Sequence, residues 1–190
     1  MQGQKIRLRP IEKTDLQKLN KWKNDEQIYQ FLGGGFQPVS IDQQDKWMDG
    51  LIDLTGNNRR FMIVDSFNCA VGMVGLYEIN WIHRTCEIGI YIGEQEAHQK
   101  GYAEEAYKLL ENYASQYLNL RKINLKAVSD NKAAISLWTK LGFAKIGEYH
   151  RERFINGTYH DLTLMEKFIE NIRGGGYDFL NLLFCRRCFA

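Results

Sequence analysis

IGIYIGEQEAHQKGYAEEA, residues 88–106, decides how the rest of this chain is read. Its first five residues are an apolar run fit for a buried strand, the middle is a short polar loop, and Gly101 precedes a segment of helical spacing. A strand feeding a helix start makes a place for an anion, because the first N–H groups of a helix lack intrahelical partners and the macrodipole adds roughly half a positive charge there. Gly101 and Ala103 keep the backbone open to a phosphate. Glycine patterns are weak signals alone, so the surrounding chain has to decide.

Working outward, residues 6–10 alternate apolar and polar and stop at Pro10, a first strand. Residues 14–22 carry Leu16, Leu19 and Trp22 at helical spacing. Ser40 followed by Gln43 opens a second helix to about Leu54. Gln30 to Pro38, between these helices, is irregular and a candidate wall for a substrate pocket. Residues 61–64, 70–77 and 86–92 are short apolar runs separated by turns, hence strands that neighbour one another. Residues 102–118 return to helical spacing, with Ala103, Ala106, Tyr107, Leu110, Ala114 and Tyr117 on one face. Ile123, Leu125 and Ala127 alternate as a strand, 132–141 form a helix closed by Gly142, and 144–154 and 159–168 form a hairpin around Asn156-Gly157.

The 190 residues suit one domain, and a net charge of +2 lacks the basic stripe of a nucleic-acid binder. The charged first ten residues are unlike a signal peptide, and no stretch approaches the ~20 apolar residues of a membrane span, so a cytoplasmic protein with neither nucleic acid nor membrane as partner is expected. Four cysteines are too few for a disulfide scaffold. Cys185 and Cys188 make one CxxC with no second pair to complete a zinc site, and no metal is expected.

Two segments together point to a family. His98-Gln99-Lys100-Gly101-Tyr102-Ala103 is similar to the Q/R-x-x-G-x-G/A motif of the GNAT superfamily of acyl-CoA-dependent N-acetyltransferases, and residues 131–143, NKAAISLWTKLGF, to its N-x-x-A-x-x-L-Y-x-K-x-G-F segment. EIN at 78–80, HR at 83–84, EIGI at 87–90 and FINGTYHD at 154–161 resemble the branch containing ribosomal-protein and spermidine acetyltransferases. The resemblance runs from Ile6 to Phe168. It implies an α/β (α+β) GNAT-like fold: a central mixed, mostly antiparallel sheet with a V-shaped splay between strands 4 and 5, flanked by about four helices. Residues 1–170 would be the acetyltransferase domain. Residues 171–190, a glycine-rich linker and an apolar tail, stay unassigned.

The resemblance also implies a site. Acetyl-CoA is the co-substrate, with its pantetheine arm along Ile90, Tyr91 and Ile92 and its pyrophosphate on the loop of His98, Gln99, Lys100, Gly101, Tyr102, Ala103 and Glu104. Asn131, Ser136 and Trp138 complete the cofactor set, although Asn131 equally suits a helix cap. A bulge in strand 4 is expected to splay it from strand 5 and to free an N–H for the oxyanion. Glu78 and Glu87, on adjacent strands, are the candidate bases that take the proton of an attacking amine; ordinary surface ion pairing is the plainer role for glutamates. Many relatives carry tyrosine where this chain has Trp138, and an indole does not titrate in the useful range, so packing, substitution by Tyr102 or Tyr149, or loss of turnover all stay open. Asp161 and Tyr159 match the family's N-G-x-Y-x-D segment, close to where acceptors enter, and a structural hairpin role is the plainer one.

The reading is therefore an acetyl-CoA-dependent N-acetyltransferase acting in a ternary complex on a polyamine, an amino sugar or a protein N-terminus. The alternative is a CoA-binding module without turnover. Asp25, Glu26, Asp42, Asp45 and Asp49 supply acidity for a cationic acceptor, and a homodimer is an admissible assembly.

Overall fold

The computed structural model describes residues 1–32 and 35–169. The expected linker at 174–176, the tail and the Cys185–Cys188 pair lie outside them. The chain runs β1 (Ile6–Pro10), α1 (Leu16–Lys23), α2 (Glu26–Tyr29), α3 (Ile41–Ile52), β2 (Arg59–Asp65), β3 (Ala70–Asn80), β4 (Thr85–Ile92), α4 (Tyr102–Gln116), β5 (Lys122–Val128), α5 (Lys132–Lys140), β6 (Ala144–Ile155) and β7 (Thr158–Phe168).

Local chemistry accounts for most boundaries. The Ser40 side chain accepts the Gln43 N–H at 3.1 Å and starts α3. Gly142, at φ +89°, ends α5 in the left-handed conformation that a side chain would oppose. Asn156 and Gly157 both have positive φ, 47° and 82°, as a tight hairpin between right-twisted strands requires. Where about four helices were expected there are five α-helices among the described residues, because α2 is a single turn too short to show a period; its start is fixed by Asp25 Oδ1 accepting the Gln27 N–H. Tyr117, expected on the buried face of α4, is exposed, since the helix ends at Gln116 and releases it.

Among the described residues seven strands form one sheet in the order β1-β2-β3-β4-β5-β7-β6. All neighbours are antiparallel except β4 and β5. The two faces are covered differently. α4 and α5 pack on one through Ala106, Tyr107, Leu110 and Trp138 against Ile88, Ile123 and Leu125. On the other, α1 and α3 bury Trp22 and Met48 against Met62 and Met73. Trp22 lies flat on Gly93, where a Cβ would come within 2.3 Å of the indole. Truncating such a buried tryptophan costs ~3–5 kcal/mol, so this contact fixes α1 against the end of β4.

The parallel pair is short, matching Thr85, Cys86 and Glu87 to Lys122, Ile123 and Asn124 and then stopping. β4 continues to Ile92 beside β3 while β5 continues beside β7. That divergence is the V-shaped splay. Its origin differs from expectation. β4 keeps unbroken register with β3 from Glu87 to Ile92, and the extra residue sits in β3, between Tyr77 and Asn80. Alternate residues of β4 beyond Glu87 thus turn N–H and C=O toward a β5 that has moved away, with no bulge in β4 itself.

Candidate active site

The open end of the wedge is a groove of about 560 Å3. Ile90, Tyr91 and Ile92 form its floor, His98 and Gln99 one wall, Asn131 and Ala133 the start of α5, and Asp25, Ile28 and Phe31 the wall from α2. Arg153 on β6 donates to the Leu32 carbonyl at 2.8 Å, tying the β6–β7 hairpin to that wall.

Among the described residues, the backbone N–H groups of Gln99, Lys100, Gly101, Tyr102, Ala103 and Glu104 donate to no protein acceptor, whereas Glu105 N–H donates to the Gly101 carbonyl at 3.1 Å. Six free donors lie at the start of α4, where its dipole adds positive potential. The backbone is bent to do this. Gly101, the N-cap, has φ +81° and Gln99 has φ +59°. Lys5 Nζ holds the Lys100 carbonyl at 3.2 Å, and Glu105 accepts the N–H groups of Gln4 and Lys5, fastening the N-terminal strand to the same turn.

Several expected contributors stand elsewhere. His98 spends its own N–H on the Gln95 carbonyl, and its ring Nε2 lies 3.1 Å from the Ile92 carbonyl, so the free donors begin one residue later. Glu104 offers its N–H alone. Its carboxylate pairs with Lys108 at 2.8 Å and Lys140 at 2.6 Å, which hold its pKa down at about 2. Ser136 is exposed on α5 and does not line the groove. Asn131 Oδ1 caps α5 by accepting the Ala134 N–H at 3.0 Å, and the residue lines the groove with an amide nitrogen that has no protein partner among the described residues.

Trp138 is in the core rather than in the groove. Its ring meets Tyr107 edge-on at 5.7 Å and Phe143 at 5.2 Å. The indole is buried in that apolar cluster and does not line the groove. Tyr107, its neighbour, is equally unsuited to proton transfer, since burial pushes its pKa up, and burial likewise pushes the Cys86 thiol up to about 12.

Sheet pairing places the two glutamates. Glu87 pairs with Tyr77 on one side and Asn124 on the other, so it faces away from α4 and α5, on the face where β5 presents Lys126 and β6 presents Tyr149. Glu78 occupies the bulge of β3 with φ +52°, its N–H held by Asn58 Oδ1 at 3.1 Å. Lys126 joins them. Its Nζ lies 2.9 Å from Glu87 Oε2, and its pKa is raised first by that hydrogen bond and further by the charges of Glu87, Glu78 and Tyr149. The lysine went unnoticed in the sequence, although the alternation of residues 123–127 puts Asn124 and Lys126 on one face. Of the α2 wall, Asp25 was among the acidic residues and Phe31 and Leu32 belong to the irregular segment expected to wall a pocket, whereas Gln27 and Ile28 went unnoticed.

Asp161 has the structural role expected, accepting the Arg151 N–H at 2.7 Å and fixing the irregular stretch of β6. Tyr159 packs on Phe154 with ring centres 5.0 Å apart.

A sheet splayed after Glu87, with free helix-start donors at its open end, fits a protein of the acyl-CoA-dependent transferase class. Residues 5–144 match the family model of the acetyltransferase (GNAT) domain. The chain is 33% identical over 160 residues to the spermidine N(1)-acetyltransferase of Escherichia coli strain K12, covering 84% of each. It is 26% identical to a putative ribosomal N-acetyltransferase, YdaF, of Bacillus subtilis, over 83% of this chain and 88% of that one. The crystal structure of spermidine N-acetyltransferase from Vibrio cholerae in complex with CoA and spermine matches with a TM-score of 0.79 at 32% identity, over 86% of this chain and 95% of that one. The chain belongs to the GNAT acetyltransferase family, as an N-acetyltransferase with acetyl-CoA as co-substrate. Among the described residues no helix is long and apolar enough to cross a membrane.

Proposed function

We propose that this enzyme acetylates a primary amine of a polyamine by direct attack in a ternary complex, with residues 1–170 as the catalytic domain. The pyrophosphate of acetyl-CoA is held by the N–H groups of residues 99–104, and the pantetheine arm takes the place of the missing β5 partner along Ile90, Tyr91 and Ile92. Asn131 adds its free amide hydrogens to the arm. The observation that carries this reading is the run of free donors placed directly beyond the divergence of β4 from β5.

The acceptor enters from the opposite face. There Glu87 and Glu78 take the ammonium proton, and an amide N–H of β4 turned toward the wedge stabilises the oxyanion. Asp25 at the α2 wall supplies a second anionic point for a substrate with more than one ammonium; Asp49 is engaged with Lys13 at 3.2 Å and lies outside the groove. Relatives named spermidine acetyltransferases support the polyamine over an amino sugar or a protein N-terminus. With Trp138 buried, Tyr149 is an exposed phenol on the acceptor face, suited to protonate the departing thiolate; a thiolate with the basicity of free cysteine, pKa ~8.5, needs only modest help. A dodecameric structure of the Vibrio cholerae enzyme, TM-score 0.75 and 31% identity, supports a multi-subunit assembly beyond a dimer, which light scattering would size.

Purified protein, acetyl-CoA and a panel of spermidine, spermine, butylamine and glucosamine test this reading through release of free thiol. Spermidine or spermine is expected to saturate at the lowest concentration. The burial of Trp138 favours a binding module as the second reading. A rise in melting temperature with acetyl-CoA, but no amine-stimulated thiol release, would establish that module and remove the enzyme mechanism.

A further inference from the structure

An amine about to be acetylated must sit within hydrogen-bond reach, roughly 2.6–3.2 Å, of the carboxylate that takes its proton. Beside Glu87 that position already holds an amine. Nζ of Lys126 lies 2.9 Å from Glu87 Oε2. The lysine reaches it across the wedge: β4 and β5 last pair at Glu87 and Asn124, and Lys126 is two residues further along β5 on the same face. The ion pair therefore spans two strands that have parted, at the mouth through which an acceptor passes. It is not sealed in, since 41% of the lysine side chain and 31% of the glutamate side chain are exposed. Glu78 and Tyr149 lie near enough to contribute to the potential at Nζ.

We propose that Lys126 is a self-acetylation site, its Nζ occupying the acceptor position beside Glu87 when no external amine is bound. The inference rests on acetyl-CoA lying in the β4–β5 wedge. Glu87 accepts a proton from the Lys126 ammonium, and the freed nitrogen lone pair attacks the thioester carbonyl. The C–N bond forms, the C–S bond breaks, and CoA leaves as a thiolate that takes the second nitrogen proton. The products are Nζ-acetyl-lysine, free CoA thiol and one proton passed from Glu87 to water. The amide has no charge, so Glu87 loses its built-in partner and an incoming ammonium no longer competes with Lys126. Self-acetylation thus primes the site for a cationic substrate.

Peptide mass mapping of the full chain after incubation with acetyl-CoA alone tests the proposal. Lys13 and Lys21 serve as references: both are exposed lysines paired with carboxylates, Asp49 and Glu94, and none of these four lines the groove. Lys126 should gain one acetyl group at least about tenfold faster than either, at a first-order rate independent of protein concentration, as an intramolecular reaction requires. Glu87→Gln should slow it about a hundredfold, the ordinary share of a general base, and excess spermidine should protect Lys126 by competition. Equal labelling of Lys126, Lys13 and Lys21 in protein that releases thiol with spermidine would overturn self-acetylation and leave the enzyme reading standing. Absence of both thiol release and any melting shift with acetyl-CoA would remove the wedge reading and this proposal together.

Discussion

Glu78, proposed above as a base on the acceptor face, has a backbone angle, φ +52°, that glycine adopts more readily. A non-glycine residue held there stores about 1 kcal/mol or more, a cost found where function constrains the chain. Glu78→Gly removes the carboxylate and leaves the bulge at ease. The strain relieved and the added chain entropy, each about 1 kcal/mol, nearly cancel. The expected result is a melting temperature unchanged within about 4 °C and kcat/KM for spermidine lowered at least about tenfold; full activity would remove Glu78 from the mechanism. Asp15 makes a contrasting case, structural and remote from the groove. Arg9 donates to both its oxygens at 2.7 and 2.6 Å, and Glu12 N–H adds a bond at 2.9 Å. Burial pushes its pKa up, but the Arg9 and Glu12 bonds outweigh burial and hold it below the usual carboxylate range. A carboxyl depressed on folding stabilises the protein above its unfolded pKa, and that contribution fades as pH falls through the folded value. Asp15→Asn should cost ~2 kcal/mol in urea melts near pH 7 and lose less on acidification below pH ~4 than the parent does.

At the scale of elements, the loop from β4 into α4 owes its shape to Gly101. At φ +81° an alanine would pay ~1–2 kcal/mol, and turning the residue out of that conformation would rotate the donors of residues 99–104 away from one another. Space is not the obstacle, since the nearest atom to a Cβ there is Lys5 Nζ at 3.6 Å. Gly101→Ala should therefore weaken acetyl-CoA binding about tenfold by calorimetry, with a smaller loss of melting temperature than Gly93→Ala, whose Cβ would strike the Trp22 ring. The elements legible in the sequence are those written in local chemistry: Ser40 starting α3, Gly142 ending α5 and Asn156-Gly157 turning the hairpin each act within a few residues. What stayed hidden depends on contacts distant in the chain. Tyr77-Glu78-Ile79-Asn80 continues the strand pattern smoothly, and only register against Thr85 and Glu87 reveals the bulge. The EQIY turn of α2 has no period to read. Glu87 and Lys126 look like surface charges until the sheet order sets β4 beside β5. Trp138 was legible as a departure, but its place against Tyr107 and Phe143 was not.

At the scale of the whole molecule, the sheet is two antiparallel units, β1-β2-β3-β4 and β5-β7-β6, sharing one short parallel seam. α4 and α5 cover the seam from one side with a common apolar cluster, which holds the halves together while their backbones part. Past Glu87, alternate amides of β4 face a gap where a neighbouring strand would normally accept them. A donor whose arm lies in that gap supplies the missing acceptors and joins the halves, so its binding should be visible far beyond the groove. In hydrogen exchange, acetyl-CoA should slow alternate amides between Ile88 and Ile92 together with the free amides of residues 99–104 by more than it slows β1 and β2. At a hundredfold excess over Kd, ligand linkage adds ~2.7 kcal/mol to global stability, a separate and uniform effect on the slowest core amides. Slowing confined to residues 99–104 would mean that the phosphates bind while the arm stays out of the sheet. Slowing in alternation along β4 would place the arm in the wedge, because only an acceptor in line with the strand reproduces that two-residue period.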